Sequence, residues 1–258
     1  MARKVIAFDL DGTLAPSKSA LPDRMGTALS ELLEKYHVCV ISGGKFEQFE
    51  KQLLGNLKTD EARLEKLHLM PTCGTRYYRY NKTRKNWKQV YAEDFNQQQK
   101  SKIIKELKQA VDHFSMREKE IYGDTIEDRG SQISWSALGQ DIVDVLGEEG
   151  IKRKEEWDPD NKKKLKVVKY LSPLLEEFEV RAGGTTTIDI TKKGIDKAYG
   201  MNKIMEMLDI GKEQIFFIGD KIIEGGNDYP VKAMGIDTMR ISQWEETALA
   251  VEAMVAVS

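Results

Sequence analysis

Short apolar runs alternate with amphipathic stretches in the first third and the last quarter of the chain. In the first third, Lys4–Phe8, Val38–Ile41 and Leu67–Met70 predict buried strands. Between them, apolar residues at helical spacing predict helices over Arg24–Tyr36 and Phe46–Leu54. The last quarter predicts a helix over Ala198–Leu208, strands over Ile215–Ile218 and Thr238–Ile241, and a helix over Glu245–Val255. This alternation is typical of right-handed βαβ units on a parallel sheet.

The middle of the chain has a different pattern, typical of antiparallel strands with helices. It predicts a hairpin over Tyr77–Tyr80 and Trp87–Tyr91, a helix over Phe95–Phe114, two antiparallel strands within Asp124–Leu138, a helix over Leu165–Phe178 and a strand over Val180–Ile190. Antiparallel material within a parallel α/β pattern indicates a second domain. We therefore predict an α/β fold with a Rossmann-like parallel-sheet core at 1–81 and 187–258 and an inserted α+β cap domain at 82–186.

Composition narrows the class of protein without identifying a partner. The 258 residues are 40% hydrophobic and 32% charged, with a formal net charge of −2. A balanced charge gives no general attraction to nucleic acid or to an anionic membrane surface, so we expect neither as a partner. Two cysteines, Cys39 and Cys73, indicate reduced thiols, and we expect a cytoplasmic location. Basic runs at 152–154 and 162–164 are interleaved with acidic residues and predict solvated surface, with a polyanion site as the alternative.

The segment Asp9-Leu10-Asp11-Gly12-Thr13 follows directly on the first predicted strand. Side chains two apart on an extended chain share a face, so Asp9 and Asp11 are expected to act on one substrate. Ligands of α/β folds bind at the carboxyl ends of the strands, which is where this pair lies. The pair suggests phosphoryl transfer, with Asp9 as nucleophile and Asp11 as proton donor. The alternative is an ordinary acidic turn.

Three further segments supply groups that suit this chemistry. Ser42 follows the second strand. Its hydroxyl and the amides of Gly43 and Gly44 are candidate hydrogen-bond donors to phosphate oxygens. Lys197 precedes a helix and offers a cation for the transferring phosphoryl group. The alternatives are a plain strand-to-helix turn for Ser42 and a surface position for Lys197.

The last of these segments is Gly219-Asp220 with the glycine turn that follows it. Asp220 ends a strand, and Asn227 and Asp228 add two oxygen-bearing side chains, a set that suits Mg²⁺. We expect Mg²⁺ to contact Asp9, the backbone carbonyl of Asp11, and Asp220. Asn227 and Asp228 are expected to support the metal loop.

In their order and spacing, these residues resemble the haloacid dehalogenase-like superfamily of phosphoryl-transfer enzymes. The similarity is greatest to the eukaryotic-type phosphomannomutases and their phosphatase relatives, carried by Ile41-Ser42-Gly43-Gly44-Lys45, Gly194-Ile195-Asp196-Lys197 and Gly225-Gly226-Asn227-Asp228. The resemblance implies a Mg²⁺-dependent enzyme in which Asp9 forms a phosphoaspartate. It also implies a phosphorylated sugar as substrate and a homodimer formed through the cap.

The same resemblance assigns roles in the cap and shows where this chain departs from the family. Arg129 would hold a distal phosphate, and Thr187 and Asp189 would contact sugar hydroxyls. For Thr187 the alternative is an ordinary exposed strand position. Tyr122 and Gln140 stand where two further arginines of a mutase would align, and Lys18 replaces another.

These departures favour a sugar-phosphate phosphatase over a phosphomannomutase-type isomerase. A mutase needs to bind a second phosphate in the cap while the first reacts, and one matched arginine is a weak basis for that. The isomerase remains the first alternative. A non-catalytic binding module of the same fold is a further alternative. Such a module has no need of the aspartate pair, Ser42, Lys197 and Asp220 together.

Overall fold

The computed structural model describes residues 3–257, which divide into two compact units. The core unit runs to Ala92 and resumes at Asp196, and the inserted unit is Glu93–Ile195. Within the described part of the chain, no helix has the length and apolar character needed to cross a membrane.

A seven-stranded sheet in the order β11-β10-β1-β2-β3-β4-β5 forms the centre of the core unit. Its strands are β1 (Val5–Phe8), β2 (His37–Ile41), β3 (Leu67–Met70), β4 (Arg76–Asn81), β5 (Asn86–Ala92), β10 (Ile215–Gly219) and β11 (Asp237–Arg240). The five strands from β11 to β3 pair in parallel, and the β4–β5 hairpin continues the sheet in antiparallel fashion.

Helices cover both faces of this sheet. They are α1 (Asp23–Lys35), α2 (Phe46–Phe49), α3 (Glu61–Leu64), α8 (Lys197–Leu208), α9 (Tyr229–Ala233) and α10 (Trp244–Val257). Alternate residues of β1 enter different cores: Ile6 and Phe8 pack with residues of α1 and α10, whereas Val5 and Ala7 pack with residues of α8. Burial on both faces explains why β1, β2 and β10 are continuous apolar runs.

The inserted unit has an antiparallel sheet of its own, in the order β6-β7-β9-β8. Its strands are β6 (Ile126–Asp128), β7 (Gln132–Ser136), β8 (Phe178–Ala182) and β9 (Thr187–Lys192), and its helices are α4 (Gln97–His113), α5 (Ile142–Leu146), α6 (Glu148–Trp157) and α7 (Lys162–Leu171). Ile133, Trp135, Ile188 and Ile190 join the apolar core with residues of α4 and α7. The alternate positions Ser134, Ser136 and Asp189 therefore form a polar face.

The predicted fold class is confirmed, with corrections in detail. The helix predicted over Leu165–Phe178 is α7 and ends at Leu171, and Phe178 begins β8. The unit boundaries lie later than 81 and 186, because β5 pairs with β4 in the core sheet and β9 pairs with β7 and β8 in the inserted sheet. The single strand predicted over Val180–Ile190 is the two strands β8 and β9, joined by a turn. Lys164 is 1% exposed instead of solvated, because its side chain lies on the inward face of α7 with Val167 and Leu171.

Candidate active site

The carboxyl ends of three neighbouring strands bring together residues that are distant in the sequence. Phe8 at the end of β1 pairs with Val40 of β2 on one side and with Ile218 of β10 on the other. Asp9, Ser42 and Asp220 are therefore among the first residues beyond these strand ends. This is the edge at which α/β sheets bind ligands.

Lys197, the first residue of α8, joins this edge through two ion pairs. Its ammonium Nζ contacts Asp9 Oδ1 and lies 2.5 Å from Asp228 Oδ1. Lys197 and Asp228 are completely buried, and Asp9 is 3% exposed. The helix start is fixed locally, because the Asp196 side chain accepts a hydrogen bond from the Tyr199 amide at 3.0 Å. Lys197 is thus a buried counter-ion to two aspartates.

Burial and the charge of the ion-pair partner shift the pKa of Asp9, and that of Lys197, in opposite directions. Burial raises the pKa of Asp9 to about 7, and the carboxylates of Asp228 and Asp220 raise it as well, whereas Lys197 lowers it. Burial alone would lower the pKa of Lys197, but Asp9 and Asp228 together raise it, so the lysine stays charged. The ammonium is therefore what allows Asp9 to be ionised near neutral pH.

Asp9, Asp220 and Asp228 form a cluster of carboxylates whose oxygen atoms lie within 4.8 Å of one another. Asp220 Oδ1 is buried and has no hydrogen-bond partner among residues 3–257. Three carboxylates and one ammonium carry a net of two negative charges, which one Mg²⁺ would balance. Mg²⁺ prefers oxygen ligands, so the donor set and the buried oxygen without a partner both fit this ion.

The loop after β10 holds Asp228 in the cluster. Its Oδ2 accepts a hydrogen bond from the Lys221 amide at 2.9 Å, while Oδ1 pairs with Lys197. Asp228 is therefore a full member of the cluster as well as a support for the loop. Asn227, the other predicted support residue, is exposed.

Asp11 faces a different set of neighbours, and its side chain is not part of the carboxylate cluster. Its oxygens accept hydrogen bonds from the Lys18 amide at 2.6 Å, from Gln48 Nε2 at 2.7 Å and from Gln52 Nε2 at 3.2 Å. Gly12 turns the chain directly after Asp11 with φ +84°, and a Cβ there would lie 2.9 Å from Asp220 Oδ2. Asp9 and Asp11 thus have distinct environments, as two carboxylates with different roles require.

The two glutamines were not anticipated as site residues. Gln48 lies in α2, and Gln52 lies in the π-helical turn Glu50–Leu54 that continues it. Turns of this type are common at functional sites. Gln48 and Gln52 are four residues apart and come just after the predicted phosphate loop. This spacing is the sequence signal that indicates them.

Ser42 lies in a buried loop after β2 and is 5% exposed. Its Oγ accepts a hydrogen bond from the Gly44 amide at 3.2 Å, and its own amide donates to the Met70 carbonyl at 3.3 Å. Gly43 is partly exposed, and apart from its two chain neighbours no described residue has an atom within 4 Å of the position that a Cβ would take. The loop therefore leaves room beside Gly43.

The three residues predicted to contact substrate from the cap lie in the inserted unit. Arg129 follows β6, and its Nε donates to Glu127 Oε2 at 2.7 Å. Thr187 and Asp189 lie on the same face of β9, where Asp189 accepts a hydrogen bond from Ser134 Oγ. Both side chains crowd the position that a Cβ on Gly183 would take. The structure thus brings Thr187 and Asp189 together around one glycine.

Aspartates, a lysine and a hydroxyl brought together at a sheet edge suit phosphoryl transfer. A model of the haloacid dehalogenase-like hydrolase family matches residues 6–230. The chain belongs to this family, and it is an enzyme of the phosphatase and phosphomutase class. The family generally uses Mg²⁺, in agreement with the carboxylate cluster.

Several relatives of known name share most of their length with this chain. It is 27% identical over 237 residues to a phosphomannomutase of Encephalitozoon cuniculi, covering 89% of this chain and 84% of the relative. It is 23% identical over 229 residues to a phosphomannomutase of Saccharomyces cerevisiae, covering 88% and 84%.

Solved structures show the same fold at lower sequence identity. An IMP-bound IMP-nucleotidase of Plasmodium falciparum superposes with a TM-score of 0.70 at 16% identity, covering 99% of this chain and 68% of that one. A haloacid dehalogenase-like hydrolase of Bacteroides thetaiotaomicron gives 0.58 at 15% identity, covering 98% and 99%.

The raised pKa of Asp9 predicts a specific pH dependence of stability in the absence of metal. The folded protein binds this proton more tightly than the unfolded chain, in which the pKa lies near its ordinary value of 3.8. The stability that the protonated Asp9 contributes to the folded state is fully present below pH 4 and is lost as the pH rises through about 7. Asp9→Asn removes this loss. In urea unfolding with EDTA, the stability of Asp9→Asn relative to wild type should therefore increase between pH 4 and pH 7.

Asp209→Asn is the control for this measurement, because Asp209 is an exposed aspartate of the core unit. Stability curves of Asp9→Asn and wild type that run parallel across this pH range would contradict the assignment.

The carboxylate cluster predicts that Mg²⁺ stabilises the folded protein. Millimolar Mg²⁺ should raise the melting temperature of wild type, because a ligand that binds only the folded state stabilises it. Asp220→Asn should abolish this shift, and Glu224→Gln, an exposed acid of the same loop, should keep it. Equal shifts in both variants would exclude Asp220 as a ligand.

Proposed function

We propose that this enzyme hydrolyses sugar-phosphate monoesters through a phosphoaspartate on Asp9. The observation that carries the proposal is the completely buried Lys197 paired with Asp9 and Asp228, beside Asp220 Oδ1, which has no hydrogen-bond partner among residues 3–257. Burial keeps water away from the Asp9 carboxylate, and the ammonium favours its ionised form. Both conditions favour a carboxylate as nucleophile.

In the first step, an Asp9 carboxylate oxygen attacks the phosphorus, and the bond from phosphorus to the sugar oxygen breaks. Asp11 donates a proton to the departing sugar oxygen. In the second step, water attacks the phosphorus of the phosphoaspartate, and Asp11 takes a proton from that water. The bond to Asp9 breaks, inorganic phosphate leaves, and both aspartates return to their starting states.

The remaining residues of the edge stabilise charge and fix positions. Lys197 offsets negative charge on the transferring phosphoryl group, and Ser42 and the Gly43 amide bind its oxygens. Gln48 and Gln52 hold the Asp11 carboxylate in one orientation. Asp9, Asp220 and Asp228 would hold Mg²⁺, which supplies positive charge at the phosphate when it is bound.

A phosphorylated sugar is the substrate class that the inserted unit supports. Thr187 and Asp189 supply an adjacent hydroxyl and carboxylate, and sugar hydroxyls are recognised by such groups. The named relatives are phosphomannomutases, whose name indicates a phosphorylated hexose. These relatives also support the second candidate function, an isomerase that interconverts hexose 1- and 6-phosphates.

The charge balance of the inserted unit favours hydrolysis over isomerisation. An isomerase needs positive charge for a second phosphate. Arg129 is paired with Glu127, Arg181 lies 3.6 Å from Glu179, and Arg153 beside Tyr122 is paired with Glu120. These partners reduce the net positive charge that the three arginines offer to a phosphate.

A substrate panel tests the proposal and ranks the two functions. Purified protein with Mg²⁺ is given mannose and glucose 1- and 6-phosphates, with and without a hexose bisphosphate. We expect release of inorganic phosphate that is abolished in Asp9→Asn, at least a thousandfold below wild type, because the nucleophile is removed. Asp209→Asn, with an exposed aspartate changed in the same way, should keep the activity.

Interconversion of the 1- and 6-phosphates that requires bisphosphate would reverse the ranking in favour of the isomerase. Activity that survives in folded Asp9→Asn would reject Asp9 as the nucleophile. Absence of both reactions in a protein that binds phosphorylated sugars would support a binding module.

A further inference from the structure

Residues 72–74, directly after β3, form a turn with three successive left-handed residues. The angle φ is +50° at Thr72, +55° at Cys73 and +84° at Gly74. Glycine adopts this conformation without steric cost, whereas a residue branched at Cβ, such as threonine, rarely does. Strained backbone of this kind persists only where the surrounding structure holds it, and it is concentrated at functional sites.

Two side chains hold the turn in place. The hydroxyl of Thr75, which is 1% exposed, lies 2.8 Å from the Thr72 carbonyl oxygen and 2.7 Å from Thr72 Oγ1. The hydroxyl of Tyr91 donates to the Gly74 carbonyl at 2.7 Å. The turn is therefore fixed at both of its ends by hydroxyl groups.

The amides of the turn bind the loop that carries Ser42. The Cys73 amide donates to the Ser42 carbonyl and the Thr72 amide donates to the Gly44 carbonyl, both at 2.9 Å. In a trans peptide the carbonyl and the following amide point in opposite directions. A Ser42 carbonyl directed at the turn therefore fixes the Gly43 amide on the opposite side of that peptide.

The same turn contacts the helix that begins at Lys197. A Cβ on Gly74 would lie 2.5 Å from the Cα of Gly200, and a Cβ on Gly200 would lie 3.0 Å from the Cys73 carbonyl oxygen. Gly200 lies one helical turn after Lys197 in α8. The two backbones approach this closely because both positions are glycine.

We propose that the 72–74 turn is a positioning element for phosphoryl transfer, and that Thr75 is the positioning residue that holds it. The turn sets the loop Ser42–Gly44 in a fixed place relative to the helix of Lys197. The phosphate-binding groups are then ordered before phosphate arrives, so binding does not have to order them. The inference rests on the proposed function for the roles of Ser42 and Gly43.

Thr75→Val tests the hydroxyl, with Thr75→Ser as a control that keeps it. The affinity for inorganic phosphate is measured by titration calorimetry in the presence of Mg²⁺. Loss of a hydrogen bond that orders the loop should raise the Kd of Thr75→Val about tenfold, whereas Thr75→Ser should stay within about twofold of wild type. Wild-type affinity in folded Thr75→Val would overturn the proposal.

A second pair separates positioning from simple loss of stability. Gly74→Ala and Gly235→Ala both place alanine at positive φ, +84° and +87°, but at Gly235 the atom nearest to the added Cβ is the side-chain Nζ of Lys212, at 3.0 Å, and not backbone. Both variants should lower the melting temperature, and only Gly74→Ala should weaken phosphate binding. Equal losses of phosphate affinity in the two variants would contradict the proposal.

Phosphate binding also separates this inference from the proposed function. If wild type binds phosphate but hydrolyses no phosphomonoester, the proposed function fails. The phosphate affinities of the two pairs of variants, at Thr75 and at Gly74 and Gly235, still test whether the turn is a positioning element. If wild type does not bind phosphate, both fail.

Discussion

The contact between the Lys197 ammonium and the carboxylates of Asp9 and Asp228 is the interaction on which the candidate active site depends. All three side chains are almost completely buried. An isolated charge in the protein interior is very costly. The lysine offsets the repulsion between the two carboxylates and favours the ionised form of Asp9. Removing one partner of a buried ion pair typically costs about 3–5 kcal/mol, because the other charge is left uncompensated.

The parallel sheet makes this contact possible. Asp9 directly follows β1, Lys197 is the first residue of α8, and Asp228 lies in the loop between β10 and α9. The order β10-β1 places the ends of these two strands side by side, so the loops beyond them bring Asp9 and Asp228 together, and the start of α8 adds Lys197. Buried hydrogen bonds then refine the placement, as the Lys221 amide does for Asp228 and the two glutamines do for Asp11.

Much of this arrangement follows from local sequence pattern. The apolar runs that end in Asp9, Ser42 and Gly219-Asp220 predict both the strands and the edge, because each run is short and is followed by a turn residue. The direct contacts of Asp228 with Lys197 and of Gln48 with Asp11 do not follow, because they depend on the path of a loop and on a π-helical turn. The sequence pattern likewise cannot predict that Lys164 is buried, since it ends a run of three lysines and the inward direction is set by the packing of α7.

The central claim is that Asp9 accepts the phosphoryl group. The most direct test is to mix the enzyme rapidly with a sugar phosphate and Mg²⁺, stop the reaction with acid, and map the phosphorylated peptide by mass spectrometry. The account predicts one phosphoryl group on the peptide that contains Asp9, with the same peptide converted to a reduced product by borohydride, as an acyl phosphate requires. A phosphoryl group on another residue, or turnover in which no phosphorylated peptide forms at any time point, would contradict it.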